Sequence, residues 1–254
     1  MHIHSTLSHA GDSPVGVLVL HGFTGSPFSV RPAAEYFAGK NLHVEMPLLP
    51  GHGSSWQNMA ETTYHNWVEE VDRAYWRLAR RCSHVFVFGL SMGGTLALHL
   101  ASRRAVAGIV VVNPFVQDTQ LLMRWARWVA PFRASVNSIG SDIKKPGVNE
   151  HAYDSTPVKS IYELHKLGQE VRRNIASITA PILIFRSEDD HVIDSRSVSY
   201  LKNYAHNSKT VRLFNSFHVA TLDYDAPQVF SESYEFIVEL TTHHNNEAVS
   251  DENN

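Results

Sequence analysis

The sequence predicts an α/β fold, a mostly parallel sheet flanked by helices, with a small, mainly helical cap inserted after the strand that follows the central helix. Three observations carry this expectation. Short runs that are apolar on both alternating faces, as strands buried in a parallel sheet are, stand at Val15–Leu20, Val85–Phe88, Gly108–Asn113 and Pro181–Phe185. Segments with apolar residues at helical spacing separate them, and strands alternating with helices of this length imply a parallel sheet covered on both faces. Between two such elements lies Gly89-Leu90-Ser91-Met92-Gly93, followed by the apolar run Gly94–Leu100, which together read as strand, sharp turn and helix.

At 254 residues and 43% hydrophobic content, the chain suits one substantial core better than two small ones. A formal charge of −3 gives no basic surplus for nucleic acid. Cys82 is the sole cysteine, which excludes an internal disulfide and fits a reducing compartment. The start, Met1-His2-Ile3-His4-Ser5, lacks the basic and apolar regions of a secretory signal. The run Val15–Leu20 is far too short to cross a bilayer. A soluble, cytoplasmic protein is therefore expected. The polar stretch 242–254 is expected to be a disordered tail, with His243 and His244 solvated rather than metal-bound.

In chain order, Ser26-Pro27 supplies an N-cap and a first-turn proline for a helix to about Gly39, with Val30, Ala33, Ala34 and Phe37 on one face. Leu42–Met46 reads as the next strand. Trp67, Val68, Val71, Ala74, Tyr75 and Leu78 then place a helix from about Tyr64 to Arg81. After Asn113 the alternation breaks. From Pro114 to about Ile178 no strand is expected, and one helix is, with Leu121, Leu122, Trp125, Val129 and Phe132 opposite Arg124, Arg127 and Arg133. The sheet resumes with Pro181–Phe185, a helix from about Asp194 to Ala205, the strand Thr210–Phe214 and a last helix from about Pro227 to Leu240. Residues 1–114 and 179–241 thus form the core and 115–178 the cap.

A serine hydroxyl is a poor nucleophile at neutral pH and must be held where a base can take its proton. A strained strand-to-helix turn does this, and Gly89 and Gly93 leave room where side chains would strike the neighbouring strand or helix. At ordinary glycine and serine usage such a pentapeptide arises by chance in roughly one chain in ten of this length, so the flanking elements carry the weight. Partners are sought in the loops after later strands, which leave a parallel sheet along one edge. Phe185 is followed by Arg186-Ser187-Glu188-Asp189-Asp190-His191-Val192-Ile193, and Phe214 by Asn215-Ser216-Phe217-His218. The order Ser91, Asp190, His218 is the one this architecture uses. Of the 16 histidines, His218 alone sits after a late strand and before the final helix. Asp190 is taken as its carboxylate partner from the Asp-x-Val-Ile pattern. Asp189 is the neighbouring alternative, and Asp194 is better explained as a helix cap.

The oxyanion formed in acyl transfer needs backbone donors. The residue after the nucleophile, Met92, supplies one N–H, and Phe23 in His21-Gly22-Phe23-Thr24-Gly25 supplies the other. Walker-type loops, dinucleotide fingerprints and paired His or Cys metal spacings are absent from the sequence, so no cofactor and no metal is implied. Leu121, Leu122, Trp125 and Trp128 would line an acyl channel at about 0.8 kcal/mol per buried methylene. Partly exposed, the same stripe would let the protein make transient contact with lipid aggregates, without a basic face for firm membrane binding. His52 of Gly51-His52-Gly53 is read as holding a turn.

These motifs, together with His218-Val219-Ala220-Thr221-Leu222-Asp223-Tyr224-Asp225, resemble those of the α/β-hydrolase superfamily. More narrowly they resemble the compact bacterial monoacylglycerol lipases and related carboxylesterases. The likeness spans Val15 to about Leu240. It reaches into the cap, where Ser138-Ile139-Gly140-Ser141-Asp142 and Ala152-Tyr153-Asp154-Ser155-Thr156-Pro157 resemble the monoacylglycerol lipase cap. The resemblance implies the α/β-hydrolase fold and Ser91 as nucleophile. It implies His218 as base and then acid, Asp190 as its orienter, and Phe23 and Met92 as oxyanion hole. It also implies Glu150 as a contact for a glycerol head group. Competing readings are a general carboxylesterase, thioesterase or lysophospholipase, and a non-catalytic hydrophobic-ligand receptor. A homodimer is compatible with these features, which leave the oligomeric state open.

Overall fold

The apolar runs become the middle of a seven-stranded sheet in the computed structural model, which describes residues 4–117, 126, 128–138, 141–205 and 207–251. Its strands are β1 (Leu7–His9), β2 (Val15–Leu20), β3 (His43–Met46), β4 (His84–Leu90), β5 (Gly108–Val112), β8 (Ile182–Ser187) and β9 (Ser208–Leu213). They lie in the order β1-β3-β2-β4-β5-β8-β9. Every neighbouring pair is parallel except β1 with β3. β2 and β5 are buried at every position, which explains why they read as continuous apolar runs rather than as alternation. This is the α/β fold expected.

The α-helices α1 (Arg31–Gly39), α2 (Trp56–Ala60), α3 (Tyr64–Ala79), α4 (Met92–Ala101), α5 (Val158–Asn174), α6 (Arg196–Tyr204) and α7 (Ala226–Asp251) accompany the sheet. Alternate strand residues feed two core clusters. Leu18, Leu20, Val85 and Val87 pack with the apolar stripe of α3 and with α4 and α5. Val17, Val19, Phe86 and Phe88 pack with Ala33, Ala34 and Phe37 of α1 and Val229 and Ile237 of α7. The stripe predicted on α3 is buried throughout. Ser26 caps as expected, its Oγ accepting from Phe28 N at 3.4 Å, although the first turn, Pro27–Val30, is a 3-10 turn that leads into α1.

The inserted region departs from expectation. Ser135–Asn137 (β6) pairs antiparallel with Ser155–Pro157 (β7), although no strand was expected there; three-residue strands are too short for alternation to reveal. The 17-residue α5 was also missed. Its Gly168 packs where a Cβ would stand 2.9 Å from the Phe115 ring, and this glycine interrupts an otherwise helical pattern. Val158 and Ile161 pack with Ala126 of the insertion, whereas Leu164, Leu167 and Val171 join the main core, so α5 bridges the two. Helix α7 runs past Leu240 to Asp251, through most of the stretch expected as a disordered tail. That segment lacks both proline and glycine, so nothing in it forces the helix to end. Among the described residues, no helix is long and apolar enough to cross a membrane.

Register determines what meets at the carboxyl edge. Leu20 aligns with Gly89, Leu90 with Val112 and Val112 with Phe185. The residues that follow, His21, Ser91, Asn113 and the loops after β8 and β9, therefore leave the sheet at one level.

Candidate active site

Ser91 stands between β4 and α4 at φ 54, ψ −116, a left-handed backbone that costs a non-glycine residue about 1–3 kcal/mol. The strain is held from both sides. Ser91 N donates to Val112 O at 2.9 Å, and Ser91 O accepts from Thr95 N at 3.2 Å. A Cβ on Gly89 would lie 2.3 Å from the Gly93 carbonyl, and one on Gly93 would lie 2.2 Å from Leu20 O. Alanine would improve helix propensity at Gly93 by up to about 1 kcal/mol. The backbone clash outweighs that gain, so Gly93→Ala is expected to destabilise by about 3 kcal/mol, read as a lowered urea midpoint. Stability equal to the parent's would show that β2 and α4 can separate freely here.

Phe23 and Met92 flank this serine. Met92 is the first residue of α4, so its N–H has no carbonyl one turn back to bond, and it sits at the positive end of the helix dipole. A Cβ on Gly22 would be 3.5 Å from the Ser91 Cβ, which puts the His21–Gly25 loop against the serine. Thr24 adopts φ 59 and donates its Oγ1–H to Phe23 O at 2.7 Å. His21, fully buried, donates Nδ1–H to Gly22 O at 2.9 Å and accepts Leu49 N on Nε2 at 3.1 Å. Burial, reinforced by His52 nearby, lowers its pKa to about 3, so it stays a neutral crosslink between the two loops. His52 is buried as well. It holds the turn as read: Nδ1 donates to Pro50 O at 3.1 Å, while Trp67 Nε1 donates to the same carbonyl at 3.1 Å.

His218 Nδ1 donates to Asp190 Oδ2 at 2.9 Å, and both side chains are buried. The other carboxylate oxygen, Oδ1, accepts Val192 N and Ile193 N, each at 2.8 Å. Burial alone would raise the Asp190 pKa, but His218 and these two amides hold it below the ordinary value. Burial alone would lower the His218 pKa, but the Asp190 charge, with Glu150 and Asp142 adding to it, leaves it raised. Asp189 is exposed and faces Lys144 Nζ at 3.5 Å. Asp194 stands one residue before Ser195, the N-cap of α6, rather than capping it itself; its Oδ1 accepts Arg196 N at 2.9 Å. Among the described residues there is no Ser91–His218 hydrogen bond; such bonds are commonly long without substrate and tighten with it.

Glu150 was assigned only through resemblance, and its surroundings are specific. Its Oε2 stands 3.6 Å from where a Cβ on Gly25 would be, over the loop that carries Phe23. Tyr153 N donates to Thr24 O at 3.2 Å, and Tyr153 Oη donates to Gly51 O at 2.8 Å, pinning this stretch across both loops. Burial first, then the Asp142 charge, raise the Glu150 pKa to about 7 against the opposing pull of His218. Trp128 departs from the channel expected: it is 65% exposed, as is Phe132 at 92%, one helical turn on. Leu121, Leu122 and Trp125 lie outside the described residues.

Asn113 was read only as the end of a strand. At φ 46 its side chain turns back over the edge, donating Nδ2–H to His218 O at 2.8 Å and to Ser187 Oγ at 2.9 Å. Its Oδ1 accepts Ser187 N at 2.8 Å. An asparagine directly after a buried strand, tolerant of left-handed backbone, was the available signal.

Residues 13–223 match the Hydrolase_4 family model, described as serine aminopeptidase, S33. The chain belongs to the Hydrolase_4 family. This α/β-hydrolase is 42% identical over 231 residues to the thermostable monoacylglycerol lipase of Bacillus sp. (strain H-257), covering 90% of this chain and 92% of that one. It is 27% identical over 234 residues to the carboxylesterase of Bacillus subtilis (strain 168), covering 88% and 92%. Among solved structures it resembles one from LipS and LipT, two metagenome-derived lipolytic enzymes. There the TM-score is 0.90 and the identity 36%, with 93% of this chain and 98% of that one aligned. The Hydrolase_4 fold thus supplies the edge on which Ser91, Asp190 and His218 stand.

Proposed function

We propose that this hydrolase cleaves the ester bond of monoacylglycerols to fatty acid and glycerol through Ser91, His218 and Asp190. With Nδ1–H engaged by Asp190, His218 offers its Nε2 lone pair to the Ser91 hydroxyl. Ser91 Oγ attacks the ester carbonyl as Nε2 takes its proton, and the N–H groups of Phe23 and Met92 hold the oxyanion. Collapse expels the alcohol, which leaves with the proton from His218, and an acyl-enzyme remains. Water, deprotonated by His218, attacks that acyl group and releases the fatty acid, restoring the Ser91 hydroxyl. Asp190 keeps the imidazole in this tautomer and stabilises the imidazolium. The chemistry needs no cofactor.

The observation that carries the choice of alcohol is the Glu150 carboxylate beside Gly25 of the oxyanion loop, within the electrostatic reach of His218. There it can accept hydrogen bonds from glycerol hydroxyls. The 42% identity to a monoacylglycerol lipase supports the same substrate. A broader carboxylesterase is the second reading, favoured by the 27% identical relative of that name. Contact with lipid aggregates through the exposed Trp128 and Phe132, and a cytoplasmic location, belong to this proposal.

Hydrolysis of monoacylglycerols and p-nitrophenyl esters of matched acyl length tests it. At pH 8, above the Glu150 pKa of about 7, Glu150→Ala is expected to lower kcat/KM for monoacylglycerol about tenfold while changing aryl-ester turnover less than about twofold. An equal loss on both would remove Glu150 from head-group recognition. Equal rates for both substrates in the parent would make the protein a general carboxylesterase.

A further inference from the structure

The cap segment that carries Glu150 is stitched to the base by two carboxylates that the mechanism above does not use. Asp142 Oδ2 accepts two backbone amides from different loops, His218 N and His191 N, each at 3.1 Å. Its Oδ1 bonds His191 Nδ1 at 2.8 Å, and its own carbonyl accepts Val219 N at 3.1 Å. The Asp142 side chain is only 11% exposed. One oxygen therefore sets the distance between the loop after β8, which holds Asp190, and the loop after β9, which holds His218.

Asp223 answers from the opposite direction. Its Oδ2 accepts Lys144 N at 2.6 Å and Phe217 N at 3.0 Å, and its Oδ1 accepts Lys145 N at 3.0 Å and Tyr224 N at 2.9 Å. Ser141 closes the far end of the segment, donating to Asn149 Oδ1 and accepting Glu150 N, each at 3.0 Å. The His218 amide is partly buried, so leaving it without an acceptor is costly, and releasing Asp142 frees amides on both loops at once.

We propose that Asp142 is a positioning residue for His218, holding the Asp190 and His218 loops at one spacing and coupling both to the cap segment that bears Glu150. The proposal rests on the reading of His218 as the base. A shift of the imidazole by about 1 Å costs up to about 100-fold in rate without weakening substrate binding comparably. A merely structural residue would instead lower the melting temperature and leave the rate per folded site unchanged.

The test compares Asp142→Ala with Asp142→Asn, counting competent sites by fluorophosphonate titration so that misfolded protein drops out. Asp142→Ala is expected to lower kcat about 30-fold on monoacylglycerol and aryl ester alike, with KM within about threefold. Asp142→Asn keeps a carbonyl oxygen for both amides and is expected to recover kcat to within about fivefold. It also removes a charge near His218. The acidic limb of kcat/KM, set by His218 among Asp190, Glu150 and Asp142, then moves to lower pH by about half a unit. Asp142 also faces His191 and Glu150, whose carboxyl pKa its charge raises, and both are unchanged in the two variants.

A kcat per titrated site within twofold of the parent in Asp142→Ala overturns the proposal. So does equal loss in Ala and Asn. If Asp142→Ala does not fold, Asp142→Ser, too short to reach both amides, takes its place, and a kcat per titrated site within twofold of the parent overturns the proposal in the same way. Ser91→Ala serves as the control: parent-like hydrolysis there would bring down the triad reading itself and this proposal with it. A dead Ser91→Ala beside a parent-like Asp142→Ala brings down the positioning role alone.

Discussion

Replacing Ser91 by alanine is expected to lower kcat on every ester tested by at least about 10⁴-fold while leaving the fold intact. On the proposed mechanism the Ser91 hydroxyl becomes the acyl carrier. The backbone donors of Phe23 and Met92 and the binding surface would survive and account for whatever rate remains. Stability should barely change. Alanine at φ 54 carries the same strain as serine, and the bonds that hold the turn, Ser91 N to Val112 O and Thr95 N to Ser91 O, are backbone bonds. Unfolding by urea should therefore superimpose on the parent curve within about 0.5 kcal/mol. Turnover near the parent rate would remove Ser91 from the chemistry altogether.

Asp190→Asn is expected to cost about 10³–10⁴-fold in kcat, with a distinct pH signature. An amide in this place can turn its NH₂ toward His218 Nδ1, which stabilises the tautomer that leaves Nε2 protonated and unable to accept from Ser91. The sign of the pH effect follows from charge. On the proposed mechanism only neutral His218 acts as base, so activity is expected to fall as pH drops through its pKa. The Asp190 carboxylate favours the imidazolium and, against burial, keeps that pKa above its ordinary value of 6.5. Without the carboxylate, burial prevails, and the acidic limb of kcat/KM should move to lower pH even as the plateau collapses. A limb that stays in place would mean that His218 does not set it.

Much of this fold could be read from residue pattern. Strands such as Val15–Leu20 and Gly108–Val112 are buried on both faces, and burial on both faces leaves an unmistakable apolar run. The elbow was legible because its glycines are demanded by backbone atoms 2.2–2.3 Å from where a Cβ would sit, a constraint that appears directly as Gly89 and Gly93. Helix α5 was hidden for the opposite reason. Its stripe of Val158, Ile161, Leu164, Leu167 and Val171 serves two clusters in turn, and Gly168 breaks the pattern for a contact with Phe115. Trp128 shows the limit of reasoning from hydrophobicity alone, since a tryptophan on a helical stripe can face either solvent or the interior.

The site divides in the same way. Ser91, Asp190 and His218, the proposed triad, were legible because each lies just beyond a strand end. Asn113, Asp142 and Asp223 were not, because they act through backbone amides and carbonyls far away in sequence, as in the 76-residue separation between Asp142 and His218. A side chain that accepts a distant main-chain N–H leaves no periodic trace. Such groups emerge only once the loops are assembled, and the raised pKa of Glu150 likewise depends on what the fold brings around it.

Peptide mapping by mass spectrometry after reaction with a fluorophosphonate tests the central assignment most directly. The account predicts one phosphonyl group per chain, carried by Ser91 in the peptide that spans β4 and α4. Its rate of attachment should fall with pH along the same acidic limb as ester hydrolysis. Adduct on a different serine, or continued hydrolysis by protein whose Ser91 is fully modified, would contradict it.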